Sequence, residues 1–303
     1  MKLNQLRDVL AIAELGSLRA AGRFLGVTQP AITRSVRELE QELGAPLFER
    51  QPKGVSLTEV GAAFIRRAAA VQAELQRARD EIDQIRGGQT GEITIGLSTA
   101  STMVMMPVIT GPFRKRYPDA VLKIVESLFP PVEADVMDGK MDLYVGPMEI
   151  EAASPQLEVE RLFGNQRVVL GRSGHPLAGS SSLADLLDAE WVRPTLSVKS
   201  TEGDLHHLFV EAGLPPPKVV LHARSALTTW TAVAQSDLLT ILPRQWIEAN
   251  GPPNIQVICP AMPAPPICMA KRRAMPLTPM AEYLSDLIRR AGGHYRERHG
   301  EPS

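Results

Sequence analysis

The run SLRAAGRFLGVTQPAITRSVRELEQELGAPLFER, Ser17 to Arg50, constrains the fold more than any other part of the 303-residue chain. Leu18, Ala21, Phe24 and Leu25 fall on one side of a short helix for which Ser17 is a suitable N-cap. Gly26-Val27 then predicts a tight turn, because glycine alone takes positive φ without a steric penalty. Thr28 is placed to cap a further helix with Pro30 in its first turn, where a missing N–H costs little. Ile32, Val36, Leu39 and Leu43 recur at i, i+4, i+7 and i+11 and give that helix one inward face. Upstream, Leu3, Leu6, Val9, Leu10 and Ala13 predict another helix, ending near Gly16.

The outward side of the third helix carries Gln29, Thr33, Arg34 and Arg37. An amide pairs with adenine, a small hydroxyl allows close approach, and guanidinium forks match guanine or phosphate. On an isolated helix such a stripe is a solvated face. Here it follows a capped helix, a short turn and a small-residue surface (Ala20, Ala21, Gly22), which together specify helix-turn-helix geometry and a DNA-reading helix. Downstream, Leu47 to Arg50 and Val55 to Leu57 flank a Pro-Lys-Gly turn and predict a winged hairpin, with Arg50 and Lys53 against the DNA backbone or minor groove.

A chain this long exceeds what one hydrophobic core usually serves, and 44% hydrophobic with 22% charged residues is ordinary globular composition. Net charge is −1; residues 1–58 carry 8 Lys+Arg against 6 Asp+Glu and the remainder 25 against 28, so bulk charge does not argue for a polyanionic partner. From Thr58 to Arg86 no proline interrupts a helical pattern whose stripe of Val60, Phe64, Ile65, Ala68, Val71, Leu75, Ala78, Ile82 and Ile85 exceeds what a small winged unit can bury. It calls for a second helix, and two-fold pairing would present two recognition helices to a pseudo-palindromic site.

After GGQTG the pattern alternates strand and helix: EITIGL, a helix over Met103 to Tyr117, VLKIVES, a helix over Pro131 to Gly139, and MDLYVGP. This βαβαβ order predicts a parallel sheet with ligand sites beyond the carboxyl ends of its strands. RVVLG, EWVRP, KVVLHA and LLTILPR, with helices between them, repeat the idea in a second lobe; ICMAKR and a helix over Pro279 to Ala291 return to the first. Three strand ends are rich in hydroxyls: Ser98, Thr99, Ala100 and Ser101; Ser197, Lys199 and Thr201; Arg224 and Ser225. Helix capping accounts for each singly, while their convergence on one cleft suits an anion at helix N-termini. Gly146-Pro147 offers approachable backbone to the same cleft.

No GxSxG, phosphate loop or HExxH is present, so catalytic residues and metal ligands are not expected. His206 and His207 diverge, His175 precedes a proline in a turn, and His294 and His299 fall in a charged tail. Cys259 and Cys268 lack metal-ligand spacing and read as structural. With no apolar h-region and no membrane-length run, a cytoplasmic protein without membrane contact or cofactor is expected. Two readings follow: a ligand-responsive DNA-binding regulator, or a cytosolic α/β small-molecule binder or enzyme whose N-terminal helices serve only oligomerisation. Replacing Gln29 and Arg34 discriminates them, because only the first needs those side chains.

The run GSLRAAGRFLGVTQPAITRSVRELEQELGAPLFER followed by GVSLTEVG resembles the winged helix-turn-helix of LysR-type transcriptional regulators, and the likeness continues over essentially the whole chain. Thr33 stands where the family commonly has Ser, keeping the hydroxyl. The resemblance implies a DNA-binding domain over 1–58, a linker or dimerisation helix over 59–88 and a periplasmic-binding-protein-like effector domain over 89–303, with lobe I at about 89–162 and 267–303 and lobe II at about 163–266. It further implies base or groove contacts by Gln29, Thr33 and Arg34, and phosphate positioning by Ser17, Arg19, Arg37, Arg50 and Lys53, beside Thr28 and Pro30. Double-stranded promoter DNA, a small anionic or aromatic effector, RNA polymerase and other copies of the chain, from homodimer to homotetramer, are the implied partners. More loosely, EAGLPPPKVVLHARSALTTWTAVAQSDLLTILPR resembles members that respond to sulfonates or regulate sugar-binding proteins.

Overall fold

The computed structural model describes residues 1–52, 54–194, 205–248 and 254–300. By contact the chain divides into one unit of Met1–Ile82 with Asp138–Lys140, and a second of Asp83–Met137 with Met141–Ser303.

The first unit opens with α1 (Leu3–Leu15), α2 (Leu18–Leu25) and α3 (Gln29–Leu43). The expected caps form: Ser17 Oγ accepts from Ala20 N at 3.3 Å and Thr28 Oγ1 from Ala31 N at 3.4 Å, each satisfying an otherwise unpaired first-turn donor. Gly26 takes φ 69° and closes α2, so the chain can turn into α3. Val9, Ile12, Ala21, Ile32, Val36, Leu39 and Leu47 form the core that sets the three helices against each other.

Strands β1 (Phe48–Gln51) and β2 (Gly54–Leu57) pair antiparallel as the hairpin, and Val55 N donates to Gly16 O at 2.9 Å, tying the wing to the end of α1. Helix α4 (Glu59–Ile85) follows. It starts hard against the hairpin: a Cβ on Gly61 would lie 1.9 Å from Leu47 O, so only glycine fits there. Phe64 and Ile65 pack on the N-terminal core, whereas Val60, Val71, Leu75, Ile82 and Ile85 stay exposed.

In the second unit β3 (Thr90–Leu97) lies parallel to both β4 (Asp119–Glu126) and β5 (Leu143–Pro147), the predicted βαβαβ order. The intervening helices are α5 (Thr99–Arg116) and α6 (Glu133–Met137). Helix α5 begins at Thr99 rather than near Met103, because Ser98 caps it, and the hydroxyl-rich run is its first turn. The long strands β6 (Leu157–Arg172) and β10 (Ile255–Arg272) pair antiparallel and complete, with β9 (Thr240–Pro243), a six-stranded sheet ordered β4-β3-β5-β10-β6-β9. The second lobe is thus not a separate repeat of the first: it hangs on the shared strands and adds a small parallel pair, β7 (Glu190–Pro194) and β8 (Lys218–Ala223). The expected lobe boundaries fall inside β6 and β10, the two strands that run through both lobes.

Helices α7 (Leu205–Glu211), α8 (Ala226–Ala234) and α9 (Gln245–Glu248) flank that lobe. Helix α10 (Pro279–His299) packs on lobe I through Met280, Leu284, Ile288 and Ala291, and it extends past Ala291, so His294 and His299 belong to a helix rather than to a tail. Among the described residues no helix is long and apolar enough to cross a membrane.

Candidate nucleic-acid interface and ligand cleft

On α3 the inward face (Ile32, Val36, Leu39) is buried, and this rotation sends Gln29, Arg34 and Arg37 outward. These three side chains are exposed and have no hydrogen-bond or ion-pair partner among the described residues. Thr33 differs, since its hydroxyl donates to Gln29 O at 2.9 Å and its proton is spent inside the helix. Pro30 is exposed in the first turn of α3. Ser17 and Thr28 act as caps, Arg19 is exposed on α2 and Arg50 on β1, and Lys53 lies outside the described residues. Lys2 and Asn4, at the start of α1, line one hollow with Pro30 and Arg34 and add a cation to this face. The sequence separation between Lys2 and α3 hid that neighbourhood.

The cleft of the second unit is lined by Ser98, Thr99, Ala100 and Pro147 on one side, by Asn165, Arg167, Pro194, Ile241, Leu242 and Pro243 on the other, and by Leu128; it encloses about 90 Å³. Its hydroxyls are mostly committed. Ser98 Oγ accepts from Ser101 N at 3.2 Å and shares a 2.9 Å bond with Ser101 Oγ, and Ser101 itself is fully buried. Thr99 Oγ1 donates to Glu126 at 2.9 Å. The free donors here are backbone: Thr99 N and Ala100 N open α5, where no carbonyl four residues back can accept from them.

Two expectations need correction, and a third falls outside the described residues. Gly146 is buried with Tyr144 Oη at 2.1 Å from where a Cβ would stand, so its open side is filled by that ring and not offered to a ligand. Arg224 and Ser225 are exposed and do not line the cleft; Ser225 caps α8 through Thr228 N at 3.0 Å. Ser197, Lys199 and Thr201 lie outside the described residues. Conversely, Asn165 and Arg167 also line the cleft, although the sequence reading takes only RVVLG, from Arg167 to Gly171, as a strand and assigns neither residue to a site. The polar run Gly164-Asn165-Gln166-Arg167 in the middle of β6 was the available signal.

The ionisable groups elsewhere behave structurally. His175 Nε2 meets Asp237 O at 3.0 Å while its Nδ1 accepts from Leu177 N at 3.0 Å. Burial, then the nearby Asp185 charge, pushes the Cys259 thiol above its ordinary range, and Cys268 is buried as well. No cluster of three or more His, Cys, Asp or Glu suited to a metal ion occurs among the described residues.

Residues 3–62 match the model of the bacterial regulatory helix-turn-helix protein, lysR family, and residues 86–293 that of the LysR substrate binding domain. The transcriptional regulator GbpR of Azospirillum brasilense is 28% identical over 264 residues, 86% of this chain and 77% of its own length. TdcA of Escherichia coli K12, also a transcriptional regulator, is 25% identical over 228 residues, 75% of this chain and 72% of its own. In fold the chain is similar to CbnR complexed with its target DNA (TM-score 0.70, 23% identity, 96% of this chain and 100% of that one) and to a full-length OxyR variant from Pseudomonas aeruginosa (0.67, 24%, 95% of each). GbpR, TdcA and CbnR are transcriptional regulators.

Proposed function

The chain belongs to the lysR family of transcriptional regulators, and from that premise we propose that it reads double-stranded promoter DNA with Gln29 and Arg34 and answers to a small acidic effector in the cleft beside Ala100. The observation that carries the DNA half is the unpartnered polar face of α3. Side chains with unused donors, held on a helix whose other face is locked in a core, are pre-organised for base edges. Arg19, Arg37, Arg50 and Lys53 then fix register through phosphates. That CbnR has been solved on its target DNA in this fold supports the arrangement.

The effector half rests on the N–H groups of Thr99 and Ala100 at the positive end of α5, with the Arg167 guanidinium in the facing wall. Leu128, Ile241, Leu242 and the three prolines supply an apolar body site. A volume of about 90 Å³ is well below the roughly 300 Å³ at which drug-sized ligand pockets begin. The effector is therefore a compact carboxylate, or it parts the lobes as it enters. In either case it acts through differential affinity for two lobe arrangements.

The exposed apolar stripe of α4 supports a dimer through that helix, and two dimers would make the homotetramer. RNA polymerase is the further partner of this reading, and the cytoplasm its place of action. To test it, genomic fragments retained by the full-length protein are titrated against parent and Gln29→Ala/Arg34→Ala protein by fluorescence anisotropy. Loss of specific binding with an unchanged melting temperature supports the reading, and equal binding by both proteins sinks it.

A further inference from the structure

A second polar cavity of the second unit meets the cleft at Asn165 and is otherwise walled by different residues. About 440 Å³ in volume, it is walled by the middle of β6 (Arg161, Gln166), by Arg244 and Gln245 at the start of α9, and by the last turns of α10 (Tyr295, His299). We propose that it binds a small hydroxylated anion, of the size and chemistry of a sugar acid. This goes beyond the cleft reading and does not depend on it.

Charge is the first argument. Among the described residues Glu248 is the only acidic one lining the cavity, and it is already engaged by Arg244 Nε at 2.9 Å, Tyr295 Oη at 2.6 Å and His299 Nε2 at 3.2 Å. Arg161 is exposed on the same wall and has no carboxylate partner among the described residues, so its charge is left over. A guanidinium fork with five donors matches a carboxylate.

Unused hydrogen-bonding capacity is the second. Gln245 is only 2% exposed and Asn165 9%, both line the cavity, and neither amide oxygen has a hydrogen bond among the described residues. Buried polar groups left this way are uncommon. A hydroxyl both donates and accepts, so it satisfies such an amide once the amide turns toward the cavity. Size is the third: this cavity falls within the range of small-molecule sites, whereas the cleft falls below it. An occupant touching Arg161, Arg244 and His299 would join the strand shared by both lobes to α9 and α10, and would thereby bias the lobe arrangement.

The test is calorimetry on the full-length protein with gluconate, and with propionate (charge without hydroxyls) and glucose (hydroxyls without charge) as paired probes. The expected result is gluconate binding that exceeds both, weakened about tenfold or more by Arg161→Met, in line with losing a charged hydrogen-bond pair. Gln245→Leu should weaken it too; should that variant fail to fold, the exposed Arg161 still decides the matter. Absence of gluconate binding at millimolar concentration overturns the proposal. So does glucose binding as tightly as gluconate. Loss of binding in Arg167→Met but not in Arg161→Met places the anion in the cleft and overturns it as well.

Discussion

Helices α3 and α5 begin alike, each with a hydroxyl cap and a polar first turn, yet the two turns are in opposite states. At the start of α3, Gln29 and Arg34 have nothing bonded to their side chains among the described residues. At the start of α5, Ser98, Thr99, Ser101 and Thr102 are all bonded internally, to each other, to Glu126 or to backbone. The first set is exposed and available; the second is engaged in bonds within the helix turn and to Glu126. What marks a polar residue for recognition is unspent hydrogen-bonding capacity, and a residue type alone does not reveal it.

The largest effect expected from this contrast belongs to α3. Gln29→Ala/Arg34→Ala should cost about 2–6 kcal/mol of specific DNA binding, roughly 1–3 per base contact, with unfolding free energy within about 0.5 kcal/mol of the parent. Lys53→Ala should instead weaken all sequences evenly and lower the salt slope by about one. Anisotropy titrations against specific and random duplexes over a salt series separate the two. A fall in stability that matches the fall in affinity would mean these side chains are spent after all.

For α5 the balance reverses. Ser98→Ala removes a cap and the bond to Ser101, so about 1–2 kcal/mol of stability should go, read by urea denaturation of the full chain. If stability holds and only the response to an effector disappears, the hydroxyl is a ligand group and the contrast with α3 fails. Thr99→Val is milder. It gives up one bond to an exposed carboxylate, about 0.5–1 kcal/mol, and should retain an effector response, since the proposed anion donors at that turn are N–H groups.

The same distinction explains what was legible in the chain. Helix spacing, caps and glycine stops in the N-terminal unit are local signals, and Leu3–Leu15, Leu18–Leu25 and Gln29–Leu43 follow them closely. The order β3, β4, β5 was legible too, because parallel units announce themselves by alternation. The course of β10 was not: its pairing with β6 and β5 is long-range, and the run CPAMPAPPIC carries the breakers that normally argue against a strand. The cleft lining was half legible. Ser98, Thr99, Ala100 and Pro147 sit at strand ends, where the open-sheet rule directs attention. Asn165 and Arg167 lie within a crossing strand, and only the fold turns that part of β6 toward the other lobe.

The smallest effect concerns Asp185, a carboxylate spent entirely on local structure. It accepts from Ser181 N at 2.8 Å and Ser182 N at 3.0 Å, and these backbone bonds, reinforced by the Ser181 hydroxyl, hold it below its ordinary value of 3.8. A carboxylate depressed in the folded state stabilises at pH values above its unfolded pKa. That contribution fades as pH falls through the folded value. Asp185→Asn should therefore melt slightly below the parent at neutral pH, and the gap should close in the acid range below 3.8. Because the Asp185 charge also helps to raise the Cys259 thiol, after burial, the variant should alkylate modestly faster at Cys259. Melting curves across pH, with mass-spectrometric alkylation rates beside them, check both. A gap that persists unchanged into strong acid would show that Asp185 acts through its shape and not its charge, leaving the capping bonds without the electrostatic role given to them here.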